Sequence, residues 1–184
     1  MGKEVNPIIQ IKNFSMKFGT KTVIKDLSFE VMRGEVFGFL GSNGSGKTTT
    51  LRALLGLYEP TAGELLVDGK QFAVEDGVKL GYLPEERGLY KKEKVIDTMI
   101  YFGRLKGLSK EEARNFSMNY LERVGLSDKA KTKLDKLSGG QQQKIQLGVT
   151  IMGDPELLIL DEPTKGFDQL QRSEERRVGK ECRS

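Results

Sequence analysis

Val36-Phe-Gly-Phe-Leu-Gly-Ser-Asn-Gly-Ser-Gly-Lys-Thr-Thr49 is the stretch whose reading decides the fold of this chain. Its near-continuous apolar start, Val36 to Leu40, predicts a central strand covered on both faces. The glycine-rich run that follows, with Gly41 and Gly46-Lys47-Thr48 at the spacing of a phosphate-binding loop, predicts a turn into a helix that opens on Lys47. In such a loop the backbone N–H groups of Ser42 to Lys47 converge on one concavity, and the glycines allow close approach. Lys47 would neutralise the β- and γ-phosphates, and Thr48 would offer its hydroxyl to Mg²⁺. A dinucleotide fold is disfavoured, because Thr49 stands where a third glycine would fall. Three consecutive threonines, Thr48 to Thr50, are poor helix formers, which favours a functional reason for them.

Working outward, Ile8 to Phe14 and Val23 to Val31 alternate with period two and predict an antiparallel layer, turned at Phe18-Gly19-Thr20. Leu51, Leu54 and Leu55 mark one helix face after the loop, ended by Gly56 and Pro60. Gly63 to Val67 with the Asp68-Gly69 turn predicts a further hairpin. A short strand, Leu80 to Leu83, precedes a helical region from about residue 88 to 152. There Val95, Met99, Phe102 and Leu105 form one stripe, Ser109 and Glu112 a capping box for a helix through Val124, and Ser138 and Gln141 another. Gly153-Asp154-Pro155 stops the last helix, and Leu157 to Leu160 is a short buried strand. The fold class is therefore α/β, a P-loop NTPase (RecA-like) core with an antiparallel β subdomain and an inserted helical subdomain.

Two further segments carry chemistry. Asp161-Glu162 stands at the carboxyl end of a strand, where open α/β sheets bind ligands, so Asp161 can hold Mg²⁺ and Glu162 can polarise a water. Alone, such a pair could equally cap a helix. Leu137-Ser138-Gly139-Gly140-Gln141 offers a second anion-binding helix N-terminus, and by itself it reads equally well as a plain capped start. One domain needs one phosphate cradle, so a functional role here points to a nucleotide held by another subunit.

Composition sets bounds. The 184 residues carry 30 Lys and Arg against 26 Asp and Glu, for a net charge of +4, mixed along the chain. That pattern does not indicate a nucleic-acid arm or a polybasic membrane arm. A single cysteine, Cys182, permits no disulfide framework. No signal peptide or membrane-length apolar run is present, and the N-terminus lacks a myristoylation pattern, so the chain is expected to be soluble and cytoplasmic. Residues 172–184 back-translate to a string similar to a short-read sequencing adapter. The expectation is a genuine domain over 1–171, truncated, followed by an adapter-derived tail.

In this order, Gly41 to Thr48, Leu137 to Gln141 and Asp161-Glu162 resemble the nucleotide-binding domain of the ATP-binding cassette (ABC) superfamily, over nearly all of residues 5–168. The resemblance implies ATP and Mg²⁺ as cofactors and a head-to-tail dimer, homo- or heteromeric, with two ATP between the P-loop of one subunit and the signature of the other. It implies a membrane permease partner and a place on the inner face of the cell membrane, with no nucleic acid. The nucleotide would be bound by Phe18, Gly41, Ser42, Asn43, Gly44, Ser45, Gly46, Lys47, Thr48 and Thr49, and across the dimer by Ser138, Gly140 and Gln141. Glu162 and Lys47 would be catalytic; Thr48, Asp161 and Glu85 would hold the metal. Phe18 takes the place of the aromatic that stacks on adenine, and Asp168 that of an acid at the dimer interface. Gly81 to Tyr90 is similar to the branch that exports drugs, antibiotics or sodium, with Glu85 where most members have glutamine. Lys165 and Phe167 depart from the usual Ser and Leu. The family's switch histidine has no counterpart, since the sequence contains no histidine, so the chain as written is expected to bind ATP weakly at best and to hydrolyse it negligibly. The alternatives are a soluble ABC-class ATPase acting on DNA or ribosomes, and a non-catalytic regulatory cassette.

Overall fold

A computed structural model describes residues 6–72, 79–86 and 88–163. The chain divides into two compact units, Met1–Val78 and Lys79–Ser184.

The first unit is built on an antiparallel sheet of order β2-β1-β3, with β1 at Ile9–Phe18, β2 at Lys21–Val31 and β3 at Ala62–Val67. Alternation puts Ile9, Ile11, Phe14, Met16, Ile24, Val31, Leu65 and Val67 on the buried face. They share a core with Ala53 and Leu54 of helix α1, Lys47–Leu54. β1 runs longer than the alternation predicted because its register with β2 is interrupted near Asn13 and Asp26, where both residues take positive φ (49° and 51°). Side chains satisfy the backbone there: Asn13 N–H donates to Ser28 Oγ at 2.8 Å, and Asp26 N–H to Ser15 Oγ at 2.9 Å.

Two segments of this unit differ from the expectation. β3 pairs with β1 in the register Ile9↔Val67 and Ile11↔Leu65, and the Asp68-Gly69 turn folds the chain back with, among the described residues, a single bridge, Val67↔Lys70. Gly63 makes that pairing possible, for a Cβ there would lie 2.3 Å from Asn13 O. Val36 to Leu40 forms no hydrogen-bonded strand. Val36 is 99% exposed and Leu40 91% exposed, while Phe37 and Phe39 rest on Phe29 with ring centroids at 5.0 and 5.4 Å. An extended segment becomes a strand only when a neighbour takes up its N–H and C=O groups, and among the described residues none does.

The second unit pairs β4, Leu80–Leu83, in parallel with β5, Leu157–Leu160, in the register Leu83↔Leu160. Between them in the chain lie α2, Val95–Leu105, α3, Lys110–Arg123, and α4, Gly139–Ile151. Their common core centres on Val95, Met99, Leu121, Leu134, Ile145 and Met152. The capping box at Ser109 forms as expected, and Glu112 has its carboxyl held below the usual range by the hydrogen bonds at Ser109. The α2 stripe is narrower than predicted: Leu105 is 65% exposed, and Gly103 is buried in its stead. A Cβ at Gly103 would sit 2.6 Å from both Ala113 Cβ and Met152 Sδ, so this close crossing turns Leu105 outward.

The Tyr120 ring lies directly on the α4 backbone at Gly148, and its hydroxyl donates to Lys144 O at 2.7 Å. Burial pushes the Tyr120 phenol up to about 12. Gly148→Ala would put a methyl 2.4 Å from the ring. It is expected to lower stability by about 1–3 kcal/mol, read as a fall in denaturant midpoint at unchanged slope. Lys106 closes the other end of α4, its ammonium donating to Val149 O, Thr150 O and Met152 O at 2.7–3.1 Å. It takes up carbonyls that a helix end leaves unpaired, and partial burial lowers its pKa.

Candidate functional site

The phosphate loop sits where its sequence placed it, at the N-terminus of α1. Gly46, with φ 94°, is the N-cap residue, and no side chain caps this end. The first-turn N–H groups and the positive end of the helix dipole are left facing the loop, with no acidic residue in that turn. Gly46 is required twice over, by its left-handed backbone and because a Cβ would lie 2.8 Å from Ile24 Cγ1. Gly46→Ala is expected to cost about 1–3 kcal/mol and to weaken nucleotide binding, checked by thermal unfolding with and without ATP.

Gly41 keeps the loop tight, since a Cβ there would meet Ser45 Oγ at 2.6 Å. Ser45 N–H closes a turn to Ser42 O at 3.1 Å, with Asn43 and Gly44 at its exposed tip. The Lys47 ammonium folds back over the loop and donates to Gly41 O at 2.8 Å and Ser42 O at 3.1 Å. Thr48 and Thr49 are half-buried at the helix start. Thr50 has a different job: it is 1% exposed and its hydroxyl donates to Gly46 O at 3.0 Å. One of the three threonines is therefore explained by packing rather than by a ligand.

Phe18, at the end of β1, is 47% exposed and meets Tyr58 edge to face at 5.5 Å. Tyr58, which sequence reasoning passed over, fixes the ring's orientation and in turn accepts from Arg52 Nη1 at 3.2 Å. Only the tertiary approach of two ring-bearing segments identifies it.

In the second unit, β4 and β5 run parallel and in register. The loop carrying Glu85 and the pair Asp161-Glu162 thus leave the same carboxyl edge of the sheet on adjacent strands. Asp161 is 3% exposed and its N–H donates to Leu83 O at 2.9 Å. Glu162 is exposed and left-handed, with φ 52°, a conformation that costs a non-glycine residue energy. Gln146 Nε2 donates to Glu86 O at 3.1 Å, tying α4 to the Glu85 loop. That tie could not be read from the sequence. The metal-ligand candidates are all oxygen donors, the chemistry a hard divalent cation selects. Thr48 belongs to the first unit, Glu85 and Asp161 to the second. Among the described residues no three acidic, histidine or cysteine side chains cluster as a metal site by themselves.

Ser138 caps α4 in a full capping box. Gln141 N–H donates to Ser138 Oγ at 3.3 Å, and Ser138 N–H to Gln141 Oε1 at 2.9 Å. Gln142 Nε2 donates to Leu134 O and Leu137 O, bracing the turn before the helix. Ser138 is exposed, Gly139 and Gly140 add no side chain, and the first turn bears no acid, so no charge on this turn would repel an anion. Asp168, Lys165 and Phe167, and residues 172–184, lie outside the described residues.

A family model described as ABC transporter matches residues 24–165. Among curated proteins, an uncharacterised ABC transporter ATP-binding protein of Methanocaldococcus jannaschii is 44% identical over 164 residues, covering 89% of this chain and 59% of its own length. The linearmycin resistance ATP-binding protein LnrL of Bacillus subtilis is 37% identical over 169 residues, covering 90% and 54%. The Nod factor export ATP-binding protein I of Burkholderia lata is 38% identical over 167 residues, covering 89% and 55%. The chain spans a little over half the length of these relatives.

Proposed function

The chain belongs to the ABC transporter family, whose ATP-binding domain has the P-loop NTPase fold, and from that premise we propose that its parent protein binds and hydrolyses ATP to power export across a membrane. The observation that supports the reading is the uncapped N-terminus of α1, preceded by the glycine-rich loop from Gly41 and with the Lys47 ammonium folded onto Gly41 O and Ser42 O. The relatives named for linearmycin resistance and Nod factor export support the direction of transport.

In this reading Lys47 leaves its loop carbonyls for the β- and γ-phosphates, and Phe18 stacks on the adenine. By resemblance to the family, Thr48 of the first unit and Asp161 and Glu85 of the second are the residues that would hold Mg²⁺, an ion that would offset the charge of the phosphates. Glu162 polarises the attacking water. Ser138, Gly140 and Gln141 serve the nucleotide of a second subunit, whose signature completes the first site in return. No helix among the described residues is long and apolar enough to cross a membrane, and a separate permease subunit would hold the protein at the inner membrane face.

Purified with its permease, the parent protein is expected to show ATP turnover that transport substrate or permease stimulates. Glu85→Ala should reduce the stimulated part several-fold, about 1 kcal/mol or more of coupling, while leaving ATP affinity within about twofold. Unchanged stimulation would reduce Glu85 to a solvated loop charge, and a parent protein that fails to bind ATP at millimolar concentration would overturn the whole reading.

A further inference from the structure

The chain has five asparagines, and one of them, Asn43, precedes a glycine. That pair stands at the tip of the phosphate loop, and both residues are exposed. Ser45 N–H closes the turn around them on Ser42 O at 3.1 Å, and Gly44 takes φ 79° while Asn43 stays outside the left-handed region, as a type II turn requires. A Cβ at Gly44 would meet nothing within 4 Å. Among the described residues no hydrogen bond engages the Asn43 side-chain amide or the Gly44 N–H. The other asparagines lack this combination. Pro7 follows Asn6 and carries no N–H. The Asn13 amide donates to Asp26 Oδ1 at 2.9 Å, ahead of the fully buried Phe14. Asn115 and Asn119 lie inside α3, where the next residue's N–H is committed to the helix.

A side-chain amide carbon and a backbone nitrogen one residue on, both unengaged, are the two partners of a cyclisation. We propose that Asn43-Gly44 is a site of spontaneous deamidation, a modification that disables the phosphate loop. Gly44 N attacks Asn43 Cγ, and the new N–C bond closes a succinimide ring. The Cγ–Nδ2 bond breaks, and the Gly44 amide proton leaves with Nδ2 as ammonia. Water then opens one ring carbonyl or the other, giving an aspartyl or an isoaspartyl linkage, with no oxidant or reductant. Glycine permits the attack because no Cβ shields its nitrogen. The uncapped start of α1, with no acidic residue in its first turn, favours both the anionic nitrogen on the way and the carboxylate that results. Either product sets a negative charge where phosphates are to be received, and the isoaspartyl form adds a methylene to the main chain within the Ser42 to Ser45 turn. The disabling effect rests on the reading of this loop as a nucleotide site; the cyclisation does not.

The test incubates the whole chain, free of nucleotide, at mildly alkaline pH and follows each asparagine-containing peptide by mass spectrometry, with enzymatic methylation to mark isoaspartyl product. The Asn43 peptide is expected to gain the mass of deamidation at least about tenfold faster than the peptide of Asn115 and Asn119, which must wait for local opening of α3. Its rate should rise with pH, because the attacking nitrogen reacts deprotonated, and Asn43→Gln should abolish the change at this site alone. Deamidation no faster at Asn43 than in α3 overturns the proposal. The consequence is read in freshly purified parent protein, where Asn43→Asp is expected to weaken binding of a fluorescent ATP analogue by about tenfold or more. Asn43→Gln, which adds no charge, should lose less. Equal losses in the two variants, or none in Asn43→Asp, overturn the disabling effect of the new charge. Fresh parent protein that binds no ATP analogue would sink the nucleotide reading instead, and the peptide rates would still decide the cyclisation.

Discussion

Lys47→Ala is expected to weaken ATP binding by roughly 30-fold or more and to end hydrolysis in the parent protein. The ammonium donates to Gly41 O and Ser42 O and holds the loop's two ends together. Truncation therefore removes the loop's internal brace and the positive charge that phosphates require. A charge-assisted hydrogen bond is worth about 1.5–3 kcal/mol, so two lost together exceed the factor named. Binding of a fluorescent ATP analogue measures the first effect, and phosphate release the second. Lys47→Arg separates charge from fit, because guanidinium keeps the charge but not the compact ammonium that sits over two carbonyls. Affinity within about threefold of the parent for Lys47→Ala would show that the loop binds phosphate through backbone N–H groups alone.

The second large effect is expected at Glu162. Glu162→Gln should lower turnover in the parent protein by about 10²–10⁴-fold, the scale of a lost general base, while ATP affinity stays within about threefold. Glutamine keeps the size of the side chain and its exposed place after β5, and loses only the ability to take a proton. The left-handed backbone at Glu162, φ 52°, marks a conformation held against its own preference. Single-turnover phosphate release combined with nucleotide retention reads both quantities. Undiminished turnover would mean that Glu162 only finishes the strand, the plainer role that an acid in this place can have.

Both residues were proposed from sequence alone because the signals that suggest them are local. A phosphate loop is a pattern of glycines and a lysine within a few positions, and the S-x-x-E and S-x-x-Q boxes at Ser109 and Ser138 close within three residues, so both formed as read. Strand alternation in β1 and β2 is similarly short-ranged. The misreadings share the opposite property. The apolar run Val36 to Leu40 could state only that it suits a buried strand; whether it becomes one depends on a neighbour that periodicity does not name. The Asp68-Gly69 turn was legible, but β3's partner, more than forty residues upstream in β1, was not. Leu105 fitted its helix stripe and was displaced by the close crossing at Gly103.

What the sequence by itself determined is a set of local motifs and their order along the chain: a glycine-rich loop opening a helix, a capped helix start at Ser138 and an acidic strand end. What only the tertiary structure decided is which residues support those motifs from afar. Gln146 ties α4 to the Glu85 loop, Tyr58 orients Phe18, Lys106 closes the end of α4, and the register of β4 with β5 brings Glu85 to the same sheet edge as Asp161. The reason is physical. Caps, turns and periodicity are fixed by forces acting within a few residues, whereas pairing and packing depend on groups far apart in the chain that must satisfy one another's hydrogen bonds and fill one another's space.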